Sequence, residues 1–142
     1  MIKAIFWDRD GVINHVTVVN DKVFGPRSFA DFKLTEGIHA YFKKTKELEF
    51  KNIIVTNQPD ITRGLLAADA LDQMHLLLEK ELLVDEINFC PHDDVHQCVC
   101  RKPKPGMITE SAQRNNIDLT QSYIIGDTKK DMLAGKAAGC KT

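Results

Sequence analysis

Ile2-Lys3-Ala4-Ile5-Phe6-Trp7-Asp8-Arg9-Asp10-Gly11 is an apolar run that stops abruptly at two carboxylates and a glycine. A run of this length and composition reads as a buried strand ending at a polar site. Side chains two apart in an extended segment point to one side, so Asp8 and Asp10 can converge on one small volume. Two anions that close repel unless a cation lies between them or one of them holds a proton. Both conditions suit phosphoryl transfer, in which one carboxylate attacks, another moves a proton and a divalent cation supports the charge.

Three further runs repeat the strand signal: Asn52–Thr56, Glu86–Phe89 and Ser122–Ile125. Stretches with helical period separate them. Ile38, Tyr41, Phe42, Thr45 and Leu48 mark one helix, and Ala67, Leu71, Met74, Leu78 and Leu82 a longer one. A third is predicted from Pro105 to about Asn115, and a fourth after Asp127 with Gly139 as its stop. Strands alternating with helices predict an α/β fold, a Rossmann-like three-layer arrangement with a parallel sheet covered by helices on both faces. The spacing leaves no room for a large cap domain. Residues 1–142 read as a single domain.

Composition narrows the function classes. The chain has 142 residues, 43% of them hydrophobic, and a net charge of −1 with no run of like charges. A nucleic-acid or membrane partner is therefore not expected, and neither is a signal peptide. The cytoplasm and a monomer are the expectations. In that compartment the four cysteines point to metal ligands or inert thiols rather than disulfides.

The unusual residues gather where strands end: Asp8 and Asp10 after the first, Thr56-Asn57-Gln58 after the second, Gly126-Asp127 after the fourth. In an open α/β sheet ligands bind in the crevice beyond the carboxyl ends of the strands. Arg101-Lys102-Pro103-Lys104-Pro105 adds cations on a backbone stiffened by proline. Between the third strand and these cations lies Cys90-Pro91-His92, then five residues, then Cys98-Val99-Cys100. Cys-x-His followed by Cys-x-Cys supplies the donors of a closed tetrahedral zinc site, with Cys90, His92, Cys98 and Cys100 as ligands. His96 is a spare nitrogen in poorer register, and Cys140 reads as an inert thiol.

Asp-x-Asp-Gly, Thr-Asn, Lys-Pro-x-Pro and Gly-Asp-x-x-x-Asp, in this order, resemble the four motifs of the haloacid dehalogenase superfamily. The metal loop running into Arg101–Met107 resembles its zinc-bearing, histidinol-phosphatase-like branch. The resemblance implies a phosphatase acting through an aspartyl-phosphate. Asp8 would be the nucleophile and Asp10 the acid and base. Thr56 would bond the transferring phosphoryl group, and Lys102 would neutralise its charge. Arg9, Asn57 and Arg101 would bind substrate. Magnesium would be held by Asp8, Asp127 and the main-chain carbonyl of Asp10, with Asp131 acting from behind them. The implied partner is a small phosphorylated metabolite: a sugar bisphosphate such as D-glycero-D-manno-heptose 1,7-bisphosphate, or else histidinol phosphate. A catalytically weak, zinc-stabilised binding module is the rival from another class.

This sequence departs from the branch at Pro59-Asp60, at Thr128 and across His15–Arg27, a segment expected to shape the substrate pocket as a loop. The family continues into another strand after Gly139-Cys140-Lys141-Thr142. The strand around Ile124 is accordingly expected at an exposed sheet edge.

Overall fold

A computed structural model describes residues 1–142. The central sheet is parallel and built from β1 (Lys3–Trp7), β4 (Phe50–Asn57), β5 (Glu86–Cys90) and β6 (Tyr123–Ile125) in the order β5-β4-β1-β6. Alternation along β1 assigns its side chains to two separate cores. Ala4 and Phe6 join Ile53 and Val55 of β4 on one face, beneath Met107 and Ile108 of α3 (Gly106–Asn115) and Ala134 of α4 (Lys129–Ala138). Ile5 and Trp7 join Ile54 on the other, beneath Phe42 of α1 (Ile38–Glu47) and Leu71, Met74 and Leu78 of α2 (Ala68–Glu81). Trp7 stacks on Phe42 at 4.4 Å, and its indole N–H donates to the buried Asn52 Oδ1 at 3.0 Å. Each face is thus covered by two helices, and there is no large cap domain.

The four strands and four helices lie where the sequence places them, within about two residues at each end. α3 starts just after Pro105, and Gly139 ends α4 at φ +96°, a backbone conformation glycine adopts without steric cost. α4 packs closely on the sheet: a Cβ at Gly135 would come within 2.4 Å of the Ile124 side chain. β6 is the outer strand of the sheet, and Lys141 pairs with Tyr123 in parallel register along its free side.

One expectation is corrected. His15–Arg27 is not a plain loop, because Thr17–Val19 (β2) and Lys22–Phe24 (β3) form an antiparallel hairpin. Its two turn residues, Asn20 and Asp21, both have positive φ, at 51° and 63°. Two positive-φ residues give the turn whose twist matches a two-residue hairpin, and Asn and Asp tolerate that backbone better than most residues.

Candidate active site

The carboxyl ends of β1, β4 and β6 open into a cavity of 310 Å³, walled also by the end of the hairpin and by Arg101-Lys102. Asp8, Asp10, Thr56, Asn57, Arg101, Lys102, Asp127 and Asp131 all line it. Three of them form an ionic core. The buried Lys102 ammonium donates to Asp8 Oδ1 at 2.8 Å, to Asp131 Oδ1 at 2.5 Å and to the Val55 carbonyl at 2.8 Å. Burial pushes the Asp8 carboxyl up to about 7, with Lys102 opposing that rise and Asp131 adding to it. Carboxylate oxygens of Asp8, Asp127 and Asp131 lie within 4.8 Å of one another. Asp127 is exposed and sits over Gly11, where a Cβ would fall 2.1 Å from its Oδ2. One lysine facing three hard oxygen donors leaves the group short of positive charge, so its chemistry fits a divalent cation that prefers oxygen.

Asp10 is held differently. Its Oδ1 accepts from Asn14 Nδ2 at 2.9 Å, and from Arg9 Nε and Nη2 at 3.0 and 2.7 Å. Its Oδ2 accepts from Gln58 Nε2 at 3.0 Å. Gln58 also donates to Thr56 Oγ1 at 2.9 Å, which leaves the threonine hydroxyl proton free to face the cavity. A Cβ at Gly25 would come within 2.5 Å of Asp10 Oδ2, so the chain after the hairpin can run past this carboxylate only as glycine.

Two substrate-binding expectations change. Arg9 is fully buried behind Asp10 and does not line the cavity, so the placement of its guanidinium on substrate is withdrawn. Asn57 reaches the cavity wall, but its amide is engaged with Lys102. Nδ2 donates to the Lys102 carbonyl at 3.1 Å and Oδ1 accepts from its N–H at 3.0 Å. Asn57 therefore fixes the Lys102 backbone, with one amide hydrogen left over. Arg101 lines the cavity with its Nε on Asp94 Oδ1 at 2.8 Å and Nη1 on the His92 carbonyl at 3.2 Å. Asp131 lies behind the other acids. Besides accepting from Lys102, it receives Thr128 Oγ1 at 2.9 Å in a capping box at the start of α4.

The metal-type cluster borders this wall. Cys90, His92, Cys98 and Cys100 present donor atoms within 4.8 Å of one another. The Cys90–Cys100, Cys98–Cys100 and Cys90–Cys98 sulfurs are 2.7, 3.5 and 3.6 Å apart. His92 Nδ1 lies 3.5 Å from Cys90 and 3.4 Å from Cys100. Burial raises the Cys90 and Cys100 thiols. At Cys98 burial also acts upward, but hydrogen bonds led by the Arg101 N–H bring it down to about 6. Three soft sulfurs and an imidazole nitrogen this close, with no cationic side chain among them, fit zinc. His96 stays outside the group: its Nδ1 accepts from the Asp93 N–H at 3.0 Å and caps the turn Asp94–His96.

Residues that the sequence reading missed complete the rim. Asp60 accepts from Arg27 Nε at 2.9 Å and from Arg63 at 3.5 Å, and Arg63 reaches Asp93 at 2.5 Å. The unusual Asp60 thereby ties the segment after the hairpin to the loop after β4 and on to the cysteine loop. Asn20-Asp21 between Thr/Val-rich triplets was the signal for the hairpin. Gln58 stands at a strand end and Asn14 four residues after Asp10, but the sequence assigns neither a role, since an amide's partner is set only when the fold orients it toward a carboxylate.

The chain is similar over nearly its whole length to known phosphatases. A family model described as HAD-hydrolase-like matches residues 99–142. A D-glycero-beta-D-manno-heptose-1,7-bisphosphate 7-phosphatase from Helicobacter pylori is 39% identical, over 98% of this chain and 80% of its own length. The enzyme of that name from Rhodopseudomonas palustris is 36% identical over 96% and 79%. Among solved structures, a D,D-heptose 1,7-bisphosphate phosphatase from B. bronchiseptica complexed with magnesium and phosphate superposes with a TM-score of 0.85. It is 31% identical, over 98% of this chain and 78% of the other.

Proposed function

The chain belongs to the haloacid dehalogenase-like phosphatases, and on that premise we propose that it removes the 7-phosphate of D-glycero-D-manno-heptose 1,7-bisphosphate. The observation that carries the reading is the meeting of Asp8, Asp10, Thr56, Lys102 and Asp127 in one polar cavity, in a chain whose relatives bear that name over nearly its whole length. The small open cavity and the absence of any helix long and apolar enough to cross a membrane suit a phosphorylated metabolite as substrate. Four free cysteines support a reducing compartment such as the cytoplasm.

In the proposed mechanism Asp8 attacks phosphorus with a carboxylate oxygen, and the bond from phosphorus to the sugar oxygen breaks. Asp10 delivers a proton to that oxygen, which leaves as the hydroxyl. Asp10 then takes a proton from water as the water attacks phosphorus, releasing phosphate and regenerating Asp8. Thr56 donates its free hydroxyl proton to a phosphoryl oxygen, and Lys102 offsets charge on Asp8 and the phosphoryl group. Arg101, fixed by Asp94 and the His92 carbonyl, presents the rest of its fork to a second anionic group of the substrate. Asp8, Asp127 and the Asp10 carbonyl would hold magnesium, which supplies cationic support for the negative charge spread in transfer. The Cys90, His92, Cys98 and Cys100 site would hold zinc and stiffen the loop that carries Arg101 and Lys102.

A screen of phosphate release with magnesium, over heptose 1,7-bisphosphate, other sugar bisphosphates, histidinol phosphate and simple monoesters, tests the reading. Preference for the heptose bisphosphate by kcat/KM is the expected result. Preference for histidinol phosphate would move the substrate to the other member of the branch, and no release from any ester would leave a binding module.

A further inference from the structure

Arg9 is a fully buried cation whose role is set by what surrounds it. Nε and Nη2 both converge on Asp10 Oδ1. The Phe32 ring lies 5.2 Å from the guanidinium carbon. On the far side, Nη1 meets His75 Nε2 at 3.2 Å and Met74 Sδ at 3.7 Å, both from α2. A guanidinium can only donate, so His75 Nε2 accepts and the ring keeps its proton on Nδ1. Burial, with Arg9 alongside, lowers His75 to about 4, which keeps the ring a neutral acceptor at ordinary pH. Thioether sulfur is a weak acceptor, so His75 is the principal partner on this side of Arg9.

The consequence falls on Asp10. Three donors saturate Oδ1, while Oδ2 receives only Gln58 and keeps a lone pair free on a side chain that remains partly exposed to the cavity. We infer that His75 is a positioning residue which, through Arg9, fixes the rotation of the Asp10 carboxylate so that Oδ2 is the oxygen that exchanges protons with the leaving group and with water. This rests on the assignment of Asp10 as the acid and base of the phosphatase. Losing the His75 acceptor leaves one buried Nη1 hydrogen unpaired, and the guanidinium then turns off Asp10 to satisfy it.

A leaving-group comparison separates this role from a purely structural one. The sugar oxygen must be protonated as it leaves, whereas p-nitrophenolate leaves without a proton. In His75→Leu, kcat on heptose 1,7-bisphosphate is expected to fall about tenfold or more, within the range of a misplaced general acid. On p-nitrophenyl phosphate the initial release of p-nitrophenolate, which precedes the water step shared by both esters, should slow less than about threefold, because that release bypasses the acid. His75→Gln keeps an acceptor and is expected to restore most of the sugar-phosphate rate. Arg9→Lys keeps the charge but cannot fork, and should give the same split as His75→Leu if the leucine variant folds poorly. Equal losses in the release of the two leaving groups, or glutamine as impaired as leucine, would overturn the inference. Asp10→Asn identifies which reading has failed. If that variant splits the two esters and the His75 and Arg9 variants do not, the positioning role is wrong. If it does not split them, the assignment of Asp10 is wrong and the inference goes with it.

Discussion

Two clusters of potentially anionic side chains face each other across Arg101-Lys102, and they are balanced in opposite ways. Most acids of the cavity are met by cations of the protein itself, and Asp127 is left to the proposed magnesium. Lys102 lies between Asp8 and Asp131, and Arg9 forks onto Asp10. The cysteine cluster packs three sulfurs and an imidazole together with no cationic side chain among them. Opposite charge close by favours an ionised carboxylate, while the burial of Cys90 and Cys100 holds their protons on until an ion arrives. The first region is organised by the fold, and the second by the ion it is proposed to bind. Removing protein charge should therefore damage the first, and removing zinc the second.

The largest effect is expected at the centre of the first region. Asp8→Asn keeps size and most hydrogen bonding but removes the attacking oxygen. Its kcat should fall by about 10⁴-fold or more in a phosphate-release assay, the order expected when a nucleophile is lost. Wild-type release in that variant would remove Asp8 from the chemistry. Lys102→Ala comes next, with an expected loss of about 10²–10³-fold in kcat, as for one fixed charge partner in a transition state. It also leaves Asp8 and Asp131 facing each other, so the variant should lose thermal stability. An activity loss without any stability change would contradict the charge balance described here.

The contrast also explains how much was legible in the sequence. Asp8, Asp10, Thr56 and Asp127 stand at strand ends, and strand ends in an alternating α/β pattern are readable because the sheet gathers them. The Cys/His spacing was legible because a metal constrains it. Arg9 was misplaced onto the substrate through its neighbours in the motif. Yet the alternation that brings Asp8 and Asp10 together sends the residue between them to the opposite side, toward α2. The hairpin was missed because its strands are only three residues long, too short for an alternating pattern, and their valines stay exposed rather than joining a core. Gln58 and His75 serve Asp10 from other segments, at separations no local pattern encodes.

For the second region, metal analysis should find about one zinc per chain, the stoichiometry of a closed four-ligand site. Cys98→Ser should remove most of it, lower the melting temperature by several degrees and reduce kcat about tenfold through loosening of Arg101 and Lys102. Zinc-selective chelation, followed by assay in excess magnesium, should reproduce these losses in the wild type and leave the variant unchanged. Full activity in zinc-free protein would show that the cavity wall stands without the ion and would erase the distinction between the regions.

The smallest effect concerns the back wall of the first region. His75 titrates at about 4 in the fold and near 6.5 when unfolded, because burial and then Arg9 disfavour its charged form. Between those values the unfolded chain takes up a proton that the folded chain refuses. Stability from this group is therefore complete above pH 6.5 and declines as pH falls toward 4, by up to about 3 kcal/mol. Urea unfolding of wild type and His75→Gln across pH 4–7 isolates it, since glutamine cannot titrate and should flatten that part of the curve. If the two curves run parallel, His75 takes up its proton within the fold. Its Nε2 would then no longer accept from Arg9, and the cation behind Asp10 would lack the partner that holds it in place.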